Sequence, residues 1–312
     1  MTFFQHIGIS ETVFQFMLVD AILGLSMFLP LYTGMFSLAN AGFMAIGAYV
    51  GVLMTQQAGL PLGVALIGAM LVAGLIAIPI GLPVLRLRDL YLAIATIGFG
   101  EIVNIVLLNF DALAGGIRQA LTGDTTPFVL LKGARGITGI PKLATTAELL
   151  VFLIVASYFV IRLHRSRFGR AMSAIRQDER AAENMGINTV YVKNAVFVMS
   201  AMLAAAGGVF SGHLTRIVTP DLATFDQAVD ILAYAVLGGT TVFIGPVVGG
   251  LVLGALPEVL RFLQQYRGVF DGLVLLIVIV YLPGGLINPA GWTRLWRRLR
   301  PEKSQPSESG VT

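Results

Sequence analysis

Cysteine is absent from the 312 residues, and charge is scarce, with Asp, Glu, Lys and Arg together making up 12% of the chain. Without cysteine there is no disulfide framework, no thiolate metal site and no dithiol redox chemistry. Soluble domains are typically about a quarter charged, so an ordinary water-solvated globule is excluded. No GKS or GKT occurs, and the phosphate-cradling loop of P-loop ATPases is therefore missing. HExxH and GxSxG are missing too, and the three histidines, His6, His164 and His213, are scattered. Ser211 and His213 do not form a nucleophile–base pair, because near neighbours on a helix point away from each other. The chain reads as a non-enzyme with no cofactor and no metal. The opening residues lack the basic region and small-residue cleavage site of a secretory signal, so insertion is expected to rely on the first spanning helix.

What fills the chain instead is apolar sequence. Hydrophobic residues make up 56%, and the mean hydropathy is +0.83. Runs of about 18 or more apolar residues read as membrane-spanning helices. Strands of a membrane barrel would alternate polar and apolar, whereas "LLVFLIVASYFVI" is continuously apolar. The expected class is all-α, a polytopic integral membrane protein of about 8–10 spans. The runs cover about 12–32, 36–54, 62–85, 90–110, 147–163, 194–214, 231 to the Gly245-Pro246 break, onward to 263, and 269–282. The stretch after Phe110 is too polar and Gly-punctuated to cross lipid, and a mostly non-helical loop is expected there.

Loops rich in Lys and Arg stay on the cytoplasmic side. This places the Arg86/Arg88 turn, the Arg165–Lys193 loop and the Arg294–Arg300 tail inside, with the N-terminus outside. The net charge of +4 thus sets orientation rather than nucleic-acid binding. Trp292 and Trp296 beside the tail arginines fit an interfacial anchor. The expected organisation is a transmembrane domain over residues 1–291 and a tail over 292–312, basic and then disordered.

Two segments are broken by small residues: "LPLYTGMFSLANAGF" and "LGGTTVFIGPVVGG". Non-helical backbone at membrane depth persists only where protein buries it or where it lines a watery cavity. Interrupted segments in both halves point to a transport pathway, although small residues also serve close helix packing. Carboxylates within the spans are few: Asp20, Glu101 and Glu258, the last paired with Arg261. Glu101 lies mid-span, with Asn104 on the same side.

The most polar stretch, "AIRQDERAAENMGIN" over 174–188, combines strong helix formers with Gly186 and Asn188 as stop signals. Its alanines leave a ridge between charged neighbours, a surface that a soluble partner could grip. The continuation "GRAMSAIRQDERAAENMGIN…YVKNAVFVMSAMLAAAGGVFSG" resembles the permease subunits of branched-chain amino-acid ABC importers, the LivM type. "YTGMFSLANAGFMAIGAYV", "GLPVLRLRDLYLAIATIGFGEIV", "GITGIP" and "LAYAVLGGTTVFIGPVVGGLVLGALPEVLR" extend the resemblance over nearly the whole chain.

The resemblance implies that the loop over about 164–193 couples to a separate cytoplasmic ATPase through Arg176, Glu179, Arg180, Ala181, Ala182, Glu183 and Gly186. It departs from the EAA-x3-G loop of other importers, since Arg180 stands where that motif has Glu. The implied partners are ABC ATPase subunits, a second permease of LivH-like type, a periplasmic solute-binding protein and the lipid bilayer. The implied location is the bacterial inner membrane. The implied function is passage of branched-chain amino acids or related small polar solutes. Ser37, Asn40, Thr96, Glu101, Asn104, Thr240 and Thr241 are the polar candidates for the translocation path. The alternative is a stand-alone carrier driven by protons through Glu101.

Overall fold

In the computed structural model the long apolar runs are helices, the conformation that satisfies every backbone N–H and C=O without water. The structure describes residues 10–87, 89–122, 129–240 and 242–259, with the isolated positions 272 and 276. Across them run α1 (Glu11–Tyr32), α2 (Asn40–Gln56), α3 (Leu62–Val84), α4 (Asp89–Thr122) and α5 (Thr146–Arg165). Then follow α6 (Arg167–Gln177), α7 (Glu179–Asn184), α8 (Thr189–Thr215), α9 (Phe225–Gly238) and α10 (Ile244–Val259). Five of these, α1, α3, α4, α5 and α8, are long and apolar enough to cross a membrane, as expected of a polytopic membrane protein. Thr241, Arg88, the run over 269–282, the Glu258–Arg261 pair and the tail with Trp292 and Trp296 lie outside the described residues or side chains.

Helices α1 and α8 form the centre. The whole stretch from Leu18 to Pro30 is buried apart from Asp20, and α8 is buried almost without a break from Leu203 to Leu214. Glycine sets how closely α2 approaches α8. A Cβ on Gly47 would collide with the Ala205 backbone, and one on Gly208 with the Met44 carbonyl. Such small residues let helices pack backbone to backbone where lipid provides no hydrophobic drive. Helix α3 runs antiparallel to α8, with Gly74 against Met202 and Gly81 against Asn194. The outward row Val64, Ile67, Leu71, Leu75, Ile78 and Leu82 on α3 is exposed, a face suited to hydrocarbon.

Two sequence expectations are corrected. The stretch after Phe110 is not a loop at first, because α4 continues to Thr122 as a helix of 34 residues. At 1.5 Å per residue that is about 50 Å, well beyond the roughly 30 Å hydrocarbon core. "DALAGGIRQALT" contains enough Ala, Leu, Arg and Gln to outweigh its two glycines. Asp111 on this extension folds the return, its carboxylate accepting the amides of Leu130, Leu131 and Lys132 at 2.9, 2.8 and 2.7 Å.

The second correction concerns the late break. It falls between Gly238 and Ile244, and Gly245-Pro246 open α10 instead of ending a helix. Proline is tolerated in a first turn, where its missing N–H has no intrahelical partner to lose. Helix α10 then runs antiparallel to α1, for Gly24 meets the Pro246 carbonyl while Gly254 faces Met17 and Asp20.

These directions sort the connections to two ends. One end gathers the break after Tyr32, the α3–α4 turn, α6 with α7, and the break after Gly238. The other gathers the α2–α3 turn, the return after α4 and the segment after α8. There Ile137 pairs with Val218 and Thr138 with Ile217 in an antiparallel ladder of β1 (Ile137–Thr138) and β2 (Ile217–Val218). Among the described residues the α3–α4 turn with Arg86 and the loop over 165–193 share the first end, the grouping that their charge predicts.

Candidate functional site

The polar stretch folds as two short helices set at an angle. Ser166 begins α6, its hydroxyl accepting the amides of Phe168 and Gly169. Asp178 breaks the helix with extended backbone, φ −159° and ψ 113°. Its carboxylate then caps α7 by accepting the Ala181 amide at 3.0 Å, the usual service of an N-cap aspartate. Gly186, at φ +84°, ends α7 in the left-handed conformation that glycine adopts without penalty.

The seven expected coupling residues divide into two groups. Arg176, Arg180, Ala181, Glu183 and Gly186 are exposed. Ala182, by contrast, is only 4% exposed and packs in the cluster containing Met172, Ile175, Val192 and Val196. The expectation that both alanines form an accessible ridge is therefore corrected: on so short a helix one of them must serve as the anchor. Glu179 is also engaged within the chain, accepting the Lys193 ammonium at 2.5 Å. Glu183 accepts the Thr189 hydroxyl at 2.7 Å. Both glutamates thereby fasten α7 to the start of α8. The outward surface gains Met185, which is 84% exposed.

The loop touches both breaks. A Cβ on Gly34 would stand 3.2 Å from the Arg176 Cα, and Gly34 holds φ +83°. On its other side Arg176 donates through Nη1 to the Thr240 carbonyl at 3.5 Å. One residue of α6 thus lies between the two interrupted segments. The sequence signals each break separately, but not that they converge on a single arginine.

The polar path candidates fall into an enclosed group and an outer group. Asn40 donates to the Ser26 hydroxyl at 2.8 Å and to the Ser200 hydroxyl at 3.1 Å. Ser200 in turn donates to the Ser26 carbonyl at 2.8 Å, so three helices share one buried node. Thr96 stabilises the first break, its hydroxyl accepting the Leu38 amide at 2.9 Å. Ser37 is fully buried within that break. Glu101 and Asn104 instead lie partly exposed on α4, and Asn104 Oδ1 has no hydrogen-bond partner. Among the described residues Glu101 makes no ion pair or hydrogen bond. Gly98, one turn before it, has open space where a side chain would be.

Sequence reasoning missed Ser26, Ser200, Thr189 and the pairing role of Lys193. Serines inside apolar runs were the available signal for the first two, since hydroxyls buried among helices seek partners. His213 is fully buried and meets Thr55 Oγ1 at 3.0 Å, tying α2 to α8.

Residues 8–280 match the model of a family described as branched-chain amino acid transport system / permease component. The chain is 32% identical over 283 residues to the high-affinity branched-chain amino acid transport system permease protein LivM of Escherichia coli strain K12. That alignment takes in 85% of this chain and 66% of the relative, just under two thirds of its length. Identity to the LivH permease protein of the same system name and organism is 27%, over 82% of this chain and 86% of LivH. The ribose import permease protein RbsC of Bacillus subtilis strain 168 is 31% identical over 51% of each chain. No solved structure matches.

Proposed function

The chain belongs to the family of branched-chain amino acid transport system permease components, and from that premise we propose that it is the membrane-crossing subunit of an ATP-driven importer. Its cargo is a branched-chain amino acid or a related small polar solute. In this reading it sits in the bacterial inner membrane beside a second, LivH-like permease. Two cytoplasmic ATPase subunits drive it, and a periplasmic binding protein delivers the solute. Membership of a transport-system permease family weighs against the stand-alone proton carrier.

The observation that carries the reading is the position of Arg176. A motor that grips the exposed faces of α6 and α7 pulls on a residue in contact with both interrupted segments, at Gly34 and at Thr240. Displacement of the loop is thereby transmitted to both breaks at once. Glu179 and Glu183 keep α7 from moving independently of α8. Ser37, Thr96 and Thr240 belong to the elements that would shift. Asn40 holds the fixed centre against which they move. Glu101 supplies a carboxylate on a face available to a second permease or to the passing solute, Asn104 places its unpartnered, buried Oδ1 beneath that face, and Thr241 adjoins the second break.

The test is to solubilise the tagged chain from its native membrane and identify what accompanies it. A P-loop ATPase is expected, retained by the native chain and lost when the exposed Ala181 and Met185 are both changed to Glu. Uptake into vesicles should require ATP inside the compartment that the loop faces. Recovery of the chain alone, with uptake driven by a proton gradient without ATP, overturns the reading.

A further inference from the structure

A cleft of about 260 Å³ lies between the loop and the first break, lined by Gly34, Met35, Leu87, Leu92, Asp178, Glu179, Arg180 and Lys193. Four separate elements contribute to it: the segment after α1, the α3–α4 region, α7, and the start of α8. Its chemistry is two-sided. Arg180 offers an exposed guanidinium that makes no ion pair among the described residues. Asp178 uses one carboxylate oxygen, Oδ1, to cap α7. Met35, Leu87 and Leu92 supply apolar wall, and Lys193 with Glu179 closes one side as a neutralised pair.

Among the described residues the cleft thus offers a cation, an anion and an apolar wall. We propose that the cleft is a second binding site, taking a small zwitterion with an apolar side chain, such as a free branched-chain amino acid. The carboxylate would pair with Arg180, as guanidinium recognises it in a planar fork. The ammonium would face Asp178, and the side chain would lie against Met35, Leu87 and Leu92. The proposal rests on the importer reading for the identity of the solute, but not for the shape or charge of the cleft.

Its position gives it a consequence. The cleft lies between α7 and the segment of Gly34 and Met35, the junction through which displacement of the loop reaches the first break in the importer reading. A ligand wedged there binds one arrangement better than the other, and so shifts the balance towards it. Solute accumulated on the side that the loop faces would thereby slow its own further import.

The chain holds no cysteine, so Leu87→Cys places a single thiol on the cleft wall at a position already 40% exposed. The labelling rate of that thiol by a small maleimide is measured on the intact complex as L-leucine is added. Isoamylamine, isocaproate and glucose serve as comparison probes, lacking the carboxylate, the ammonium or both. Leucine at ten times its Kd should slow labelling about tenfold, in proportion to the free fraction, while the three comparison probes have little effect. Arg180→Gln should raise the half-protecting leucine concentration about tenfold, the worth of one charge-assisted hydrogen bond.

No protection by leucine, or equal protection by isoamylamine and isocaproate, overturns the proposal. The comparison of probes stands on Leu87→Cys alone, so it survives if Arg180→Gln disorders the loop. Leucine uptake by the same complex in ATP-loaded vesicles separates the two readings. Uptake without protection removes the cleft site and leaves the importer reading standing. Protection without uptake keeps the site and removes leucine as cargo.

Discussion

Arg176 packs directly over Gly34: the space where a Gly34 side chain would begin lies 3.2 Å from the Arg176 Cα. Gly34 also sits at φ +83°, so two separate constraints disfavour a side chain there. Gly34→Ala must abandon the left-handed backbone or carry its strain, about 1–3 kcal/mol, and must push α6 away. Asn tolerates that backbone better than Ala, yet still brings a Cβ towards Arg176. Uptake measured at matched membrane content should therefore fall in the order Gly, Asn, Ala. Full activity of Gly34→Ala would show that the contact between loop and break carries no force.

The Lys193–Glu179 pair is mostly enclosed, with side chains 11% and 28% exposed. Removing one member strands the other, which costs about 3–5 kcal/mol for a fully buried pair and less at this exposure. Lys193→Met should lower the melting temperature of the detergent-solubilised protein and release α7, seen as faster proteolysis within the loop. Replacing Glu179 by Gln in that background should recover much of the loss, because no unpaired charge remains. A double variant no more stable than the single one would show that the pair contributes packing rather than charge balance.

Asn40 predicts a different pattern. Its amide hydrogens serve Ser26 and Ser200, but those serines also donate to the Leu23 and Ser26 carbonyls. Asn40→Ala therefore leaves no serine donor stranded. The cost is two interhelical bonds, each about 0.6–1.7 kcal/mol in membrane helices. Unfolding by denaturing detergent should detect a loss within the sum of those bonds. A much larger loss would mean that the node holds the helices by more than these bonds.

These cases also mark what could be read without coordinates. Continuous hydrophobicity fixed the class, and the arginines of the α3–α4 turn and of the loop over 165–193 told which connections share an end, because both signals are local and additive. The first break was legible in its small residues, where Gly34 holds positive φ; the second was expected at Gly245-Pro246 and falls earlier, with Gly239 at positive φ and Pro246 inside the first turn of α10. The burial of Ala182 was not legible: on a six-residue helix the inward face depends on the angle at Asp178, which tertiary packing sets. The continuation of α4 past Phe110 was lost for a related reason. Its glycines read as punctuation, while the tie from Asp111 to residues 130–132 is non-local.

Loop substitutions should follow the division between anchored and outward residues. Glu183 accepts the Thr189 hydroxyl, so Glu183→Arg disturbs the α7–α8 junction as well as the surface and is a poor probe of docking. Ala181→Glu and Met185→Glu change exposed side chains only, and surface changes of this kind usually stay within about 0.5 kcal/mol. Each should leave the melting temperature nearly unchanged while weakening retention of the ATPase, and the two together should abolish it. Undiminished retention by the double variant, measured by pull-down, would place the grip elsewhere.

Glu101 discriminates between the two sources of energy. It is partly exposed on α4, with open space at Gly98 one turn away and the unpartnered Asn104 Oδ1 nearly one turn on. A carboxylate at membrane depth is costly unless water or a partner reaches it, so this face must meet one or the other in the assembled protein. If ATP drives transport, Glu101→Gln keeps a polar, hydrogen-bonding group in place, and uptake should fall no more than a few-fold. If Glu101 carried the proton, the amide could not titrate and gradient-driven uptake would cease altogether. Initial uptake rates of Glu101→Gln under ATP alone and under a proton gradient alone decide the matter. Retained ATP-driven uptake supports the permease reading, and a complete loss confined to the gradient-driven mode would return the alternative.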